Sequence, residues 1–489
     1  MRNNLTHNNR TKTILVLCAK IYFLLCAFVL FPLLSYVVFF ARSNDLLITK
    51  LALSILAILT CIYYFFIKNI ERRVNYFFVH FSVIVSIFLL NLSVEIIRIV
   101  STETRVEIFQ SKGASWDGRT RTQFILDLKN EIGADNVFRH SNPGGLIVSN
   151  ILKKIKLGNE FYPLTNISKS TIVHCNESGI WRYFETDNHG FNNPILNVSD
   201  GGKKSLILLG DSFTEGFCVD VGNDIGNKLR EQSFNVMNLG KASGGVLPAK
   251  AILREYRYKD DFHPDFIVYF LYTANDLYDT NNEYNNEVFQ RYLSNDHFSQ
   301  NLINRQDEVD KFWKEFFSLT STKKFLRQYP ELTKFGRSTN DPIKFSNFQK
   351  SLENIANLSN LRRYVRALVK PESEIVTARV EILKRSLKSL DSEVKMVHDK
   401  PKLIVVLLPT LAEIVDDKLG YHDEVVDVLN ELDIDYISMV EKFRSQDFKI
   451  FFDYELSGHY NSDGYHYLAG VVAKYIETIS FSGQTKKTE

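Results

Sequence analysis

The sequence predicts an α/β chain. A doubly wound parallel sheet, covered by helices on both faces, follows an N-terminal segment of three membrane-spanning helices. Three observations lead there. Residues 21–41, 51–67 and 76–94 contain no Asp, Glu, Lys or Arg. Beyond Lys204, short apolar runs alternate with amphipathic stretches. Between the third and fourth of those runs, Val376, Val380, Leu383, Leu387, Leu390 and Val394 recur at spacings of four and three, which draws one apolar stripe along a helix.

The three uncharged runs are each close to the roughly 20 residues that cross a hydrocarbon core as a helix. A set of buried core helices is the competing reading, and three such runs in succession argue against it. A cleaved signal peptide is disfavoured as well, because two more runs follow the first and no small-x-small site does. Arg2, Arg10, Lys12 and Lys20 precede the first run, and Lys68, Arg72 and Arg73 lie between the second and third, against Arg42 and Lys50 between the first and second. Basic residues favour the cytoplasmic side, so the N-terminus is expected in the cytoplasm and everything after about residue 100 on the opposite side of the membrane. His80 and Glu95 fall near the ends of the third run, where an interfacial position accounts for an ionisable group. Residues 1–99 are thus expected to be an integral anchor.

The formal net charge of the 489-residue chain is +2, which gives no reason to expect a nucleic-acid partner. Cys18, Cys26 and Cys61 sit in or beside the apolar runs and read as packing residues. Cys175 and Cys218 belong to the remainder, where an oxidising compartment permits a bridge and two free thiols are an equal reading. A bridge would tie the segment before the first strand to the loop after Ser212. No CxxC or His-rich spacing suggests a metal site, and no cofactor is implied.

Residues 100–200 read as a turn-rich lead-in packed on the main domain, with a helix near 122–132 and a strand near 181–186. The main domain is expected over 201–480. Its strands are SLILL (205–209), FNVMN (234–238), DFIVYFLY (265–272) and KLIVVLL (402–408), continuous apolar runs that suit a sheet buried on both faces. Residues 281–371 form an insertion rich in Phe, Tyr, Lys and Asn, expected to be a helical cap or side lobe.

In open α/β sheets the ligand crevice lies beyond the carboxyl ends of the strands. Polar clusters stand there: Gly210-Asp211-Ser212, then Asn238 through Gly245, then Thr273-Ala274-Asn275-Asp276, and near the C-terminus Ser457 through Gly464. Each alone has a bland reading as a turn or helix cap. Together they hold what acyl transfer needs: a serine, a histidine to take its proton near neutral pH, and amide donors for a developing oxyanion.

Those clusters resemble the motif blocks of the SGNH hydrolases, the GDSL family of serine esterases and lipases. GDSFTEG matches the first block through Gly210, Asp211, Ser212 and Gly216. PDFIVYFLYTANDLYD matches the third, and HYNSDGYHYLAGVVA the last through His459, Gly464 and Ala469. ETDNHGFNNP (185–194) resembles the lead-in of membrane-anchored bacterial members. The resemblance covers roughly 105–280 and 375–480. It implies a flavodoxin-like three-layer fold, Ser212 as nucleophile, His459 as base, and an oxyanion hole from the Ser212 N–H, a block-two N–H and the Asn275 amide. Two positions depart from the pattern. Where block two has its Gly stands Ser243, so either Ser243 or Gly244 supplies the N–H. Where the family has an Asp three residues before the histidine stands Leu456; Asp453 and Glu455 are the nearest upstream acids, and a Ser–His dyad is the other reading. A register using His466 has the Asp-x-x-His spacing but puts that residue inside the terminal helix.

The resulting expectation is a membrane-anchored, extracytoplasmic esterase acting on an acylated envelope carbohydrate or lipid, with a small acyl group such as acetyl. The same site serves an O-acyltransferase of surface polysaccharide, which would need a partner acyl-donor protein. A non-catalytic envelope polymer-binding protein is the reading from another class, and the absent acid at position 456 is what favours it.

Overall fold

Apolar runs too short for helices become strands here, and the amphipathic stretches between them become the helices that cover the sheet. The computed structural model describes residues 14, 16–17, 19–23, 63–101, 105–144, 146, 161–194, 203–273, 276–320, 372–415, 421–456 and 458–485. It divides into two compact units, residues 1–102 with 347–366, and residues 103–346 with 367–489.

In the first unit, helix α1 (Ile70–Ser101) runs for 32 residues, and Ala19, Phe23 and Tyr64 form a small buried cluster. Among the described residues no helix is long and apolar enough to cross a membrane, so the expected spans find no support there. Most of 21–41 and 51–67 lies outside the described residues. The third expected span falls within α1, where His80, Asn91 and Glu95 interrupt the apolar sequence and Asn91 and Glu95 are buried.

The second unit begins with α2 (Arg105–Ser111), α3 (Arg121–Ile132) and a three-stranded sheet: β1 (Val137–Arg139), β2 (Thr171–Cys175) and β3 (Arg182–Glu185). β1 runs parallel and β3 antiparallel to β2. Thr120 and Gln123 close a reciprocal capping box at the start of α3, and Gly133 ends it in the left-handed region, the start and stop that cap chemistry favours.

The main sheet then follows as β4 (Ser205–Gly210), helical turn α4 (Ser212–Glu215), α5 (Ile225–Glu231), β5 (Asn235–Asn238), α6 (Val246–Tyr256) and β6 (Phe266–Tyr272). Next come α7 (Asp276–Tyr284), α8 (Glu287–Ser294), α9 (Gln306–Thr320), α10 (Glu372–Lys395), β7 (Lys402–Leu408), α11 (Leu411–Val415), α12 (His422–Glu431), β8 (Asp435–Ser438), α13 (Val440–Arg444) and α14 (Ser462–Thr485). All pairings are parallel, in the order β5-β4-β6-β7-β8. That is the flavodoxin-like winding, with its switch point beside the first strand. The four predicted strands are present, and β8 is a fifth.

Period-two alternation divides the sheet's side chains between two cores. Ile207, Leu209, Ile267, Tyr269, Val405 and Leu407 face one; Leu206, Leu208, Val268, Phe270, Val406 and Leu408 face the other. The predicted stripe on α10 buries Leu383, Leu387, Leu390 and Val394 in the first core, with Val380 packed half-buried at its edge. The described part of the insertion does not form a separate lobe. Phe289 and Tyr292 of α8 and Phe312, Trp313 and Phe316 of α9 belong to that same core, because both helices carry a strong apolar face.

Candidate active site

β4 delivers Ser212. The strand ends at Gly210, whose φ of +146° a residue with a side chain rarely adopts. A Cβ there would stand 2.2 Å from Thr214 Oγ1 and 2.7 Å from the Phe270 carbonyl. The chain then turns into α4, and Asp211 caps it by accepting the Phe213 N–H at 3.0 Å. Asp211 is the cap, and the Ser212 hydroxyl is left for other work.

That hydroxyl meets His459. Ser212 Oγ lies 2.7 Å from His459 Nε2. On the other side of the ring, Glu177 Oε2 accepts from His459 Nδ1 and from the His459 backbone N–H, both at 3.1 Å. A carboxylate on Nδ1 favours the tautomer with its proton there and leaves Nε2 free to accept the serine proton. Phe213 and Phe217 flank the imidazole at 4.8 and 5.4 Å between centroids. The three side chains are ordered as in a serine hydrolase triad, with the acid drawn from the lead-in.

Glu177 was not among the expected acids. Asp453 and Glu455 lie in the short 3-10 turn Asp453–Glu455, where Glu455 pairs with Lys449 at 3.6 Å. The carboxylate bonded to His459 comes instead from the turn between β2 and β3, so the expectation of an acid at 453 or 455 is corrected. Its signal in the sequence was Cys175, two residues upstream. Cys175 and Cys218 form a disulfide, and Cys218 follows the Ser212 turn, so the pair carries the Glu177 turn to the site. His466 stands exposed on α14, and the histidine that meets Ser212 Oγ is His459.

In the block-two loop, Ser243 and Gly244 differ in their backbone partners. The N–H groups of Gly240, Lys241, Ala242, Gly244 and Gly245 donate to Asn238 Oδ1, the Gly210 carbonyl, Glu215 Oε2, the Lys241 carbonyl and Glu283 Oε1 respectively. Ser243 alone in this run has an N–H without an acceptor among the described residues, and it adopts a left-handed φ of +61°. A glycine takes that conformation without strain, which is why a glycine suits this place. Asn275 lies outside the described residues; the strand preceding it, β6, pairs directly with β4.

A buried ionic network holds this loop to the Ser212 turn, and nothing in the sequence hinted at it. Glu215 accepts from Asn166 Nδ2 at 2.8 Å, Lys241 Nζ at 2.9 Å and the Ala242 N–H at 2.7 Å, with His140 Nε2 at 2.9 Å. Lys241 Nζ also donates to the Ser141 carbonyl at 2.9 Å. Burial alone would raise the Glu215 carboxyl, but His140 and Lys241 hold it well below the usual carboxylate range. Burial lowers His140 to about 4 and Lys241 to about 8. Near neutral pH the centre is therefore an ion pair beside a neutral imidazole.

A second buried cluster, of acids, lies under the loop. Burial first, then the charges of Asp211 and Glu283, push the Asp276 carboxyl well above its ordinary range. Burial raises Glu283 to about 8 although it accepts the Gly245 N–H.

The fold and these three side chains together define an α/β protein with a Ser–His–Glu arrangement at the carboxyl end of its first central strand. No family model matches the chain, and no curated protein matches it. Among solved structures it is similar to a two-domain esterase active on acetylated mannans. With mannopentaose bound, that structure shares 11% identity over 57% of this chain and 50% of its own, at a TM-score of 0.29. A second structure of a two-domain esterase active on acetylated mannans gives 12%, 57%, 49% and 0.28. The match spans about half of those esterases' length, and so loose a superposition carries nothing about the reaction.

Proposed function

We propose that the chain is an SGNH-type serine ester hydrolase. The observation that carries the reading is the 2.7 Å contact between Ser212 Oγ and His459 Nε2, with Glu177 on the opposite ring nitrogen. Ser212 Oγ attacks the ester carbonyl as its proton passes to Nε2. Glu177 keeps the imidazole oriented and stabilises its positive charge. The N–H groups of Ser212 and Ser243, with the Asn275 amide, receive the oxyanion; one such donor contributes about 3 kcal/mol to the transition state in well-studied hydrolases. His459 returns its proton to the departing alcohol, and water releases the acyl group by the same steps reversed.

The substrate we infer is an acylated envelope carbohydrate or lipid, reached by a catalytic unit anchored outside the bacterial inner membrane. The uncharged runs 21–41 and 51–67 support the anchor, as do the exposed Phe78, Val79, Val83, Leu89, Leu90 and Val94 on α1, since large exposed apolar surfaces call for cover. The Cys175–Cys218 bond supports an oxidising compartment. The binding-protein reading rested on a missing acid, and Glu177 weakens it. Incubating the purified chain with acetylated polysaccharide, alone and with an unacetylated glycan acceptor, tests the reaction. Free acetate at the same rate in both is expected for a hydrolase. Acetyl groups appearing on the acceptor would make it a transferase, and polysaccharide binding without either product would make it a binding protein.

A further inference from the structure

The Glu177 turn is fixed unevenly. On the side away from the site, Asn176 Nδ2 donates to the Asp117 carbonyl at 2.9 Å, and the Asp117 N–H donates to the Gly179 carbonyl at 2.8 Å. Toward the site the covalent tie is the disulfide, beside the Cys218 N–H donating to His174 Nδ1 at 3.3 Å and the Arg182–Asp220 ion pair. Glu177 N–H points at Cys175 Sγ at 3.4 Å, and Cys218 Sγ lies 3.4 Å from His459 Nδ1, the nitrogen that Glu177 engages. Cys218 holds a left-handed φ of +67° in the loop after the nucleophile turn. The bridge therefore joins the carrier of the carboxylate to the carrier of the serine, and its sulfur touches the ring between them. The Glu177 side chain is 36% exposed against 17% for His459, so packing does not enclose the carboxylate. A part-exposed ion pair is too weak to hold a turn by itself.

From this we propose that the Cys175–Cys218 disulfide positions Glu177 on His459, so that the site has its carboxylate only while that bond is oxidised. The proposal rests on the triad reading above. Reduction by a dithiol adds two electrons and two protons across the S–S bond. One thiolate attacks a sulfur to give a mixed disulfide; the second thiol of the reductant displaces it and closes its own disulfide; two cysteine thiols remain. The Glu177 turn then loses its covalent tie, keeping the Cys218 N–H on His174 and the Arg182–Asp220 pair, and the Cys218 thiol, a weak hydrogen-bonding group, is left beside Nδ1.

The test uses the purified full chain and Glu177→Gln, each oxidised and each reduced with dithiothreitol, with thiols counted by alkylation and mass measurement. kcat and KM for p-nitrophenyl acetate are read together with the downfield proton resonance of the His459 Nδ1–H. Removing the acid of such a triad lowers kcat by as much as about 10⁴-fold. Reduction is expected to lower kcat at least about 10²-fold with KM unchanged, and to abolish the resonance. Glu177→Gln is expected to do the same when oxidised and to lose less than about twofold more on reduction. Losses that multiply would overturn the proposal and make the bond a general staple. Unchanged kcat and resonance after reduction would overturn it too, as would loss of far-UV ellipticity, since the bond would then hold the fold. An oxidised chain that shows the redox-sensitive resonance but turns over no ester would instead defeat the esterase reading and leave this proposal standing.

Discussion

Glu283→Gln should make the protein more stable at alkaline pH and nearly unchanged at acid pH. Glu283 is 1% exposed, and burial raises its carboxyl from the ordinary 4.5 to about 8. A folded-state value above the unfolded one means the native chain binds the extra proton between those two pH values. The stability that this proton brings is complete below about 4.5 and is lost as pH rises through about 8. At about 1.4 kcal/mol per pH unit, the interval comes to about 5 kcal/mol by pH 9 and about 3 kcal/mol at pH 7. Glutamine keeps the shape and an oxygen for the Gly245 N–H, which donates at 2.8 Å, but never ionises. His140 works in the opposite sense: lowered to about 4, it adds stability as pH rises toward 6.5. Comparing wild type with Glu283→Gln cancels that contribution because both carry His140. Thermal unfolding followed by near-UV circular dichroism at pH 5 and pH 9 is the assay. The variant's advantage should be under about 1 kcal/mol at pH 5 and several kcal/mol at pH 9, a midpoint gain on the order of 5–10 °C. The same difference at both pH values would refute the reasoning.

Three other outcomes are expected. Lys241→Met takes the lysine cation from the buried Glu215 carboxylate, leaving it His140, Asn166 and the Ala242 N–H, and should cost about 3 kcal/mol in thermal unfolding, with part regained in the double variant Lys241→Met with Glu215→Leu. Gly210→Ala forces a Cβ to within 2.2 Å of Thr214 Oγ1 and should cost more than about 2 kcal/mol; a smaller loss would mean that the strand end can relax. Asp453→Asn and Glu455→Gln should each leave kcat for p-nitrophenyl acetate within about twofold of wild type, as surface changes do; a hundredfold loss in either would return the acid's role to the 453–455 turn.

Much of the fold was legible because burial on both faces leaves a plain mark. SLILL and KLIVVLL have no polar residue among their inner positions, and only a covered parallel sheet asks for that. β8 was not legible: DYIS is short, polar at both ends, and pairs on one side only, with β7. The insertion was read as a helical cap or side lobe; of its described residues, Trp313 and Phe316 pack in the sheet's core. Ser212 was readable from residue type at the end of β4, and His459 from its resemblance to the last motif block, ahead of the terminal helix. Glu177 was not, since nothing in one sequence ties position 177 to position 459 except through the cysteines. Ser243 and Gly244 differ only in which N–H the loop leaves free, a property of the folded backbone. The Lys241–Glu215 pair was hidden for the opposite reason: charged residues are usually exposed, and their burial here depends on His140 and Asn166 arriving from the lead-in.

The central claim is that Ser212 is a nucleophile activated by His459. Treating the purified chain with a fluorophosphonate and mapping the modified peptide tests it most directly. One modification per chain is expected, on Ser212, absent in Ser212→Ala and slowed at least about 10²-fold in His459→Ala. A folded wild-type chain that takes no label, or one whose labelling survives Ser212→Ala, would contradict it.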